Sequence, residues 1–110
     1  MMSEHLSFES TQAYKLPIQD ISFYFAGENE AQINNLIGHY IRKKRKELGL
    51  TGSQIASRVG VSQQQFSRYE VGISNITLPR LFLIISKLDM DIETFLNDLV
   101  MIVKRLHTQD

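Results

Sequence analysis

From residue 31 to residue 106 the apolar positions fall at helical intervals, and the pattern predicts five helices. Ile33, Leu36, Ile37, Tyr40 and Ile41 repeat at three- and four-residue steps, which gives a first helix from about Ala31 to Leu48 with Gly49 as its stop. Two short helices follow. Thr51 with Gln54, and Ser62 with Gln65, have the spacing of capping boxes, in which the cap and the third helical residue exchange bonds with each other's backbone. Ile55, Ala56 and Val59 face inward in the first of the pair, and Phe66 and Tyr69 in the second. Their connection, Gly60-Val61, is too short for antiparallel packing, so the two should meet at an angle, as a helix-turn-helix, with the small Ala56 where they cross.

Thr77 is placed to cap a fourth helix that carries Pro79 in its first turn. Leu78, Leu81, Phe82, Leu83, Ile84, Ile85 and Leu88 surround most of that helix, the pattern of an element central to the core or to an interface. Asp91 can cap a fifth, running to about Leu106. In it Ile92, Leu96, Leu99, Val103 and Leu106 are spaced 4-3-4-3, the interval of a coiled-coil seam. Two heptads are few for a coiled coil, so the same stripe also suits packing on the first and fourth helices. Phe95, Val100 and Ile102 widen the apolar arc beyond what one partner should cover.

Before residue 31 the pattern changes. Phe8, Tyr14, Phe23, Tyr24 and Phe25 make up half of the aromatic residues, and Leu16, Pro17, Ile18 and Ile21 accompany them. That is too apolar for an ordinary disordered tail. The run Ile21-Ser22-Phe23-Tyr24-Phe25 suits a short strand or an arm laid on the domain or on a partner subunit, and Gly27-Glu28-Asn29 breaks it. The expected organisation is an N-terminal arm over 1–30, a compact all-α five-helix domain over 31–106 and a tail over 107–110.

Charge adds a direction. The net charge of the chain is zero, but it is unevenly spread. Residues 1–38 carry one basic residue against five acidic ones, residues 39–88 nine against two, and residues 89–110 two against five. A basic middle between acidic flanks predicts one positive face, as in nucleic-acid binders. The absence of cysteine excludes disulfides and thiolate metal sites. There is no secretion-signal pattern, and the longest apolar runs, 81–85 and 99–103, are far short of a membrane span, so no membrane partner and a cytoplasmic location are expected. His5, His39 and His107 lie far apart, and no glycine-rich phosphate loop, GxSxG or HExxH pattern occurs. Neither an enzyme nor a metal or other cofactor is expected, and no second domain is visible to hold a small-molecule effector.

The residues also match a known pattern. The stretch from Ile37-Gly38-His39-Tyr40-Ile41-Arg42 to Leu48-Gly49-Leu50-Thr51 resembles the first helix and turn of the XRE, or Cro and phage-repressor-like, regulators. Gln54-Ile55-Ala56-Ser57-Arg58-Val59-Gly60-Val61-Ser62 resembles their second helix and turn, and Gln63-Gln64-Gln65-Phe66-Ser67-Arg68-Tyr69-Glu70-Val71-Gly72 their recognition helix. Thr77-Leu78 and Asp91-Ile92 stand where that family caps its last two helices, and the register holds without gaps over about residues 33–96. Chain length and the aromatic arm further resemble the fimbria-operon-linked regulators of the MrpJ type, which repress flagellar motility.

The resemblance implies a regulator of transcription that reads double-stranded DNA in the major groove. Carried over by position, it assigns base reading to Gln63, Gln64, Ser67 and Arg68. The chemistry agrees, since Gln pairs with adenine N6 and N7 and Arg with guanine O6 and N7, although exposed glutamines are also ordinary helix residues. Thr51 and Ser62 open helices whose free N–H groups can hold a phosphate, and Arg42 or Lys43, Arg58, and Ser74 or Asn75 are further phosphate candidates. The basic residues of the first helix equally suit a solvated helix end. In the family, the equivalents of Arg45 and Glu70 form an ion pair between the first and recognition helices.

Two positions depart from the pattern. Gly52 replaces a phosphate-binding Gln, and Lys44 replaces an apolar residue, so the first helix should pack differently there or lean on Leu48. Regulators of this kind commonly act as twofold dimers. The Ile92, Leu96, Leu99, Val103, Leu106 seam, or the arm, would then form the homodimer interface. The expected function is a dimeric repressor acting at the nucleoid. The alternative is an antitoxin or protein-interaction module for which DNA binding is secondary, suggested by the apolar surplus in 1–30 and 92–106.

Overall fold

The computed structural model describes residue 27 and residues 29–108, and within them the protein is five helices around two joined apolar clusters. The arm expected over 1–30 lies outside the described residues except at its end, where residue 30 already belongs to the first helix. The helices are α1 (Glu30–Glu47), α2 (Gly52–Val59), α3 (Gln63–Glu70), α4 (Leu78–Lys87) and α5 (Ile92–Thr108).

Local chemistry sets most boundaries. Asn29 opens α1 with a full capping box: its Oδ1 accepts from the Gln32 N–H at 2.7 Å while the Gln32 side chain accepts from the Asn29 N–H. Thr51 and Gln54 do the same for α2. Ser62 caps α3 by accepting from the Gln65 N–H at 3.0 Å, but the reciprocal bond expected from the Gln65 side chain is not made, so this start is only half a box. Asp91 accepts from the Thr94 N–H at 2.7 Å, and that bond holds its carboxyl below the ordinary carboxylate range. Gly60 closes α2 in the left-handed region. Arg80, on α4, donates to the carbonyl of Val59 at 3.1 Å and so ties α4 to the end of α2.

The core is split between adjacent positions. Ile41 of α1 and Ile84 of α4 join Ile55, Ala56, Val59, Phe66, Tyr69 and Leu88 in one cluster, which holds the α2–α3 pair. Their chain neighbours Tyr40 and Ile85 join Phe95 and Leu99 in the other, which holds α5. Tyr40 and Phe95 meet edge to face with ring centroids 5.2 Å apart. One side of α1 thus supports the helix pair and the next supports the C-terminal helix, because successive residues point about 100° apart.

One expectation is corrected and two are narrowed. The first concerns α4, expected to be central to the core or to an interface: Ile84, Ile85 and Leu88 are buried in the core, while Leu78 is 60% exposed and Phe82 49%. The second concerns the seam proposed on α5. Leu99 and Val103 are 2% and 1% exposed, buried within their own subunit together with Phe95 and Val100, and Ile92 and Leu96 are half-buried. Ile92, Leu96 and Leu99 of the 4-3-4-3 stripe pack in the cluster shared with α1 and α4, whereas Leu106, its last member, and Met101 are the large apolar residues of α5 that stand exposed. The third concerns Lys44 and Leu48. Of the two alternatives, packing there does not lean on Leu48, which is 43% exposed. Instead the stem of Lys44 is partly buried, with its ammonium 5.5 Å from the centre of the Tyr40 ring and 3.3 Å from Glu47, so a long cation covers an aromatic face that an aliphatic residue would otherwise cover.

Tyr40 also donates its hydroxyl proton to Asp98 on α5. Burial, then this bond and the charge of Asp98, push the phenol above its ordinary range. A group whose pKa is raised by folding stabilises fully below its unfolded value, about 10 for tyrosine, and loses that contribution as pH rises through the folded value. Tyr40→Phe should therefore cost about 1.5 kcal/mol at neutral pH, the worth of a bond to a charged acceptor. It should also flatten the loss of stability above about pH 10. Urea titrations of both proteins at neutral and alkaline pH would check this; parallel pH profiles would count against it.

Candidate nucleic-acid interface

The exposed surface of α3 follows from what its other side buries. Phe66 is fully enclosed and Tyr69 nearly so, their rings edge to face, which pins the helix against α1 and α2. At about 100° per residue the opposite side carries Gln64, Ser67 and Arg68, with Gln63 on the flank beside Gly52, all four of them exposed.

Three features fix where α3 sits. The bidentate ion pair between α1 and α3 is the first: Arg45 Nε donates to Glu70 Oε2 at 2.7 Å and Nη2 to Oε1 at 3.1 Å. The remaining Arg45 nitrogen, Nη1, donates to the Leu50 carbonyl at 2.8 Å, in the turn before α2. One guanidinium thus joins α1, the turn and α3, with only 11% of its side chain and 8% of the Glu70 side chain exposed. Gly38 is the second. A Cβ there would lie 2.6 Å from the Glu70 carbonyl oxygen and closer still to that of Tyr69, so α1 crosses the end of α3 at a distance only glycine permits. Third, Gly72 closes α3 with φ +81°, its N–H bonding to the Tyr69 carbonyl and that of Ile73 to the Arg68 carbonyl, a Schellman stop. A Cβ on Gly72 would meet the Asn35 backbone at 2.8 Å.

The phosphate candidates separate. Arg42 is exposed and lines a cleft of about 240 Å³ with Gly52, Gln63 and Ser67, so it flanks α3. Lys43 lies one step round the helix and lines a different groove, with Met101, Ile102 and Arg105 of α5. Lys43 is thus not beside the α3 surface, and Arg42 is the member of the pair that is. Arg58 is exposed at the end of α2, and Thr51 and Ser62 use their hydroxyls as caps while sitting exposed at their helix starts. In place of the missing side chain at Gly52, the Gln63 amide nitrogen comes within 4.0 Å of where a Cβ would stand.

Ser74 and Asn75, read from the sequence as phosphate contacts, are both engaged within the protein. Ser74 accepts from Arg68 Nε at 3.0 Å. Asn75 accepts from the Asn34 amide and reaches Glu30 Oε1 at 3.4 Å, so its amide is committed to α1. The roles of Gly38, Asn34 and Arg80 escaped sequence reading. Only Gly38 carried a usable sign, as a glycine inside a helical pattern with no capping role. Among the described residues no group of His, Asp or Glu could hold a metal ion, and no helix is long and apolar enough to cross a membrane.

Two short helices joined through Gly60, Val61 and Ser62, the second anchored by two aromatics and polar on its outer face, constitute a helix-turn-helix. Residues 41–95, half of the chain, match the family model described as Helix-turn-helix, and the chain belongs to that family. Over 68 residues it is 37% identical to an uncharacterized HTH-type transcriptional regulator of Rickettsia prowazekii (strain Madrid E), a match covering 62% of this chain and 52% of that protein. A second such regulator, from Rickettsia conorii (strain ATCC VR-613 / Malish 7), is also 37% identical over 68 residues, covering 62% and 54%. An uncharacterized transcriptional regulator in the ATPase CF(0) region of Rhodospirillum rubrum is 38% identical over 63 residues, covering 57% and 58%. The chain spans about half the length of the curated relatives it matches.

Proposed function

We propose that the protein is a sequence-specific regulator of transcription that lays α3 in the major groove of double-stranded DNA. The observation that carries this reading is the outward face of α3, where Gln63, Gln64, Ser67 and Arg68 stand exposed above a helix held by buried Phe66 and Tyr69. Amides and a guanidinium are the groups that bind adenine and guanine bidentately. Arg42, Arg58 and the helix starts at Thr51 and Ser62 would hold phosphates. The relatives named as transcriptional regulators support the same reading.

One small module makes few contacts, so the working form is a homodimer on a site of twofold symmetry. With Leu99 and Val103 inside the subunit, Leu106 and Met101 of α5, or the N-terminal arm, would supply that contact. The protein would act on nucleoid DNA in the cytoplasm, as a repressor occluding a promoter. Its resemblance to the MrpJ type extends the proposal to flagellar genes in a fimbrial context.

Selection of bound duplexes from a random pool, followed by footprinting, tests this reading. Gln64→Ala and Arg68→Ala should each lose about 1–3 kcal/mol of discrimination at a single base pair per half-site, with melting temperature unchanged. Arg42→Ala should weaken binding evenly across sequences and reduce the salt slope by about one. Failure of the wild type to enrich any sequence would sink the proposal. A second reading, as a module that binds another protein, is favoured by exposed Leu78 and Phe82 on α4. A stoichiometric heterologous partner, retained at high salt in place of a homodimer, would support it.

A further inference from the structure

Ser74 sits six residues beyond Arg68, in the loop that leaves α3, and its hydroxyl accepts from Arg68 Nε at 3.0 Å. Resting on the DNA-reading function proposed above, we propose that Ser74 is a positioning residue which fixes the Arg68 guanidinium so that Nη1 and Nη2 read a guanine. An arginine has two edges that can bind a pair of acceptors, one using Nε and one using only the terminal nitrogens. With Nε held by Ser74, the terminal edge is the one left for guanine O6 and N7, whose separation it matches.

The loop is built to hold Ser74 still. On one side of it Gly72 and Ile73 donate back to the Tyr69 and Arg68 carbonyls. On the other side Asn75 is bound by Asn34 and reaches Glu30, so α1 grips the loop. Ser74 is partly buried between two exposed neighbours, Ile73 and Asn75. A hydroxyl fixed at both flanks can orient a long side chain that would otherwise sample many rotamers. Ordering such a side chain only on binding costs affinity, and a partner that orders it beforehand removes part of that cost. A phosphate contact by Ser74, the role suggested by the sequence, would instead act equally on every DNA sequence.

The full chain and its variants would be tested on a pool of random duplexes, reading base preference at each position. The wild type should prefer guanine about ten- to a hundredfold at one base pair per half-site, and Arg68→Ala should erase that preference. Ser74→Ala should reduce it about two- to tenfold at that same pair and nowhere else. Ser74→Thr, which keeps the hydroxyl, should retain it, and Ser74→Ala should add nothing in an Arg68→Ala background. If Ser74→Ala weakens all sequences evenly, or leaves the guanine preference intact while Arg68→Ala removes it, the positioning role is overturned and DNA reading stands. If the wild type enriches no sequence, both fall together.

Discussion

Gly38→Ala should destabilise the protein by about 3 kcal/mol or more, enough to populate the unfolded chain in a small domain. The sign is decided by two opposed effects. In a helix interior alanine is favoured over glycine by about 1 kcal/mol, so a site with room would gain stability. Here the added methyl would stand 2.6 Å from the Glu70 carbonyl oxygen and 2.9 Å from its carbon, with the Tyr69 oxygen closer still. These are backbone atoms of α3, and no rotamer change can move them away. The helices must part, and parting them loosens Ile41 against Phe66 and Tyr69 in the buried cluster beneath. Steric cost therefore wins over propensity.

Denaturant unfolding followed by helical circular dichroism would measure the effect, with a lower midpoint expected. A midpoint above that of the wild type would show that α1 and α3 can separate freely and that the close crossing is not needed. Any Gly38→Ala protein that remains folded should bind DNA less well, because the end of α3 is what the methyl displaces.

The same residue shows where sequence reading stops. The starts of α2 to α5 were legible because a cap and its partner lie three residues apart, as at Thr51 and Gln54, and the bond between them needs nothing from the rest of the fold. The same box at Asn29 and Gln32 went unread, because Gly27-Glu28-Asn29 shows in the sequence only as a break. Inward positions on α2 and α3 were legible because Ile55, Ala56, Val59, Phe66 and Tyr69 leave each short helix one possible inner face. Gly38 answers to Tyr69 and Glu70, some thirty residues away, and nothing near it in the chain records that crossing. The arc on α5 was visible as a width, but periodicity does not say which partner covers it. In the fold Leu99 packs with Tyr40 of α1 and Ile85 of α4, Val103 is likewise buried within the subunit, and of the proposed seam Leu106 stays exposed.

Within the candidate interface, the residue types on the outer face of α3 could be read directly, but the engagement of Ser74 by Arg68 could not. It depends on a loop that turns back only after Gly72 adopts its left-handed conformation. Lys44 illustrates the same boundary: a charge at an apolar position reads as a defect until the Tyr40 ring beneath it is seen.

Removing either partner of the Arg45–Glu70 pair should cost about 2–4 kcal/mol, several times the worth of an ion pair on the surface. The pair is mostly desolvated, with side chains 11% and 8% exposed, so deleting Glu70 strands a guanidinium and deleting Arg45 strands a carboxylate where water reaches poorly. Replacing both with apolar residues of similar volume, Arg45→Met with Glu70→Leu, removes both charges together and should recover most of that loss. Recovery should stop about 1 kcal/mol short of the wild type, because the Leu50 carbonyl keeps no donor once Arg45 Nη1 is gone.

A double-mutant cycle on unfolding free energy would measure the coupling; single variants within about 1 kcal/mol of wild type would show the pair behaving as a surface bridge. The double variant also separates structure from recognition. If it regains both stability and DNA affinity, Arg45 acts by holding α3 in place. Regained stability without regained affinity would place the Arg45 guanidinium against the DNA itself, and the assignment of Arg45 to the scaffold would have to be withdrawn.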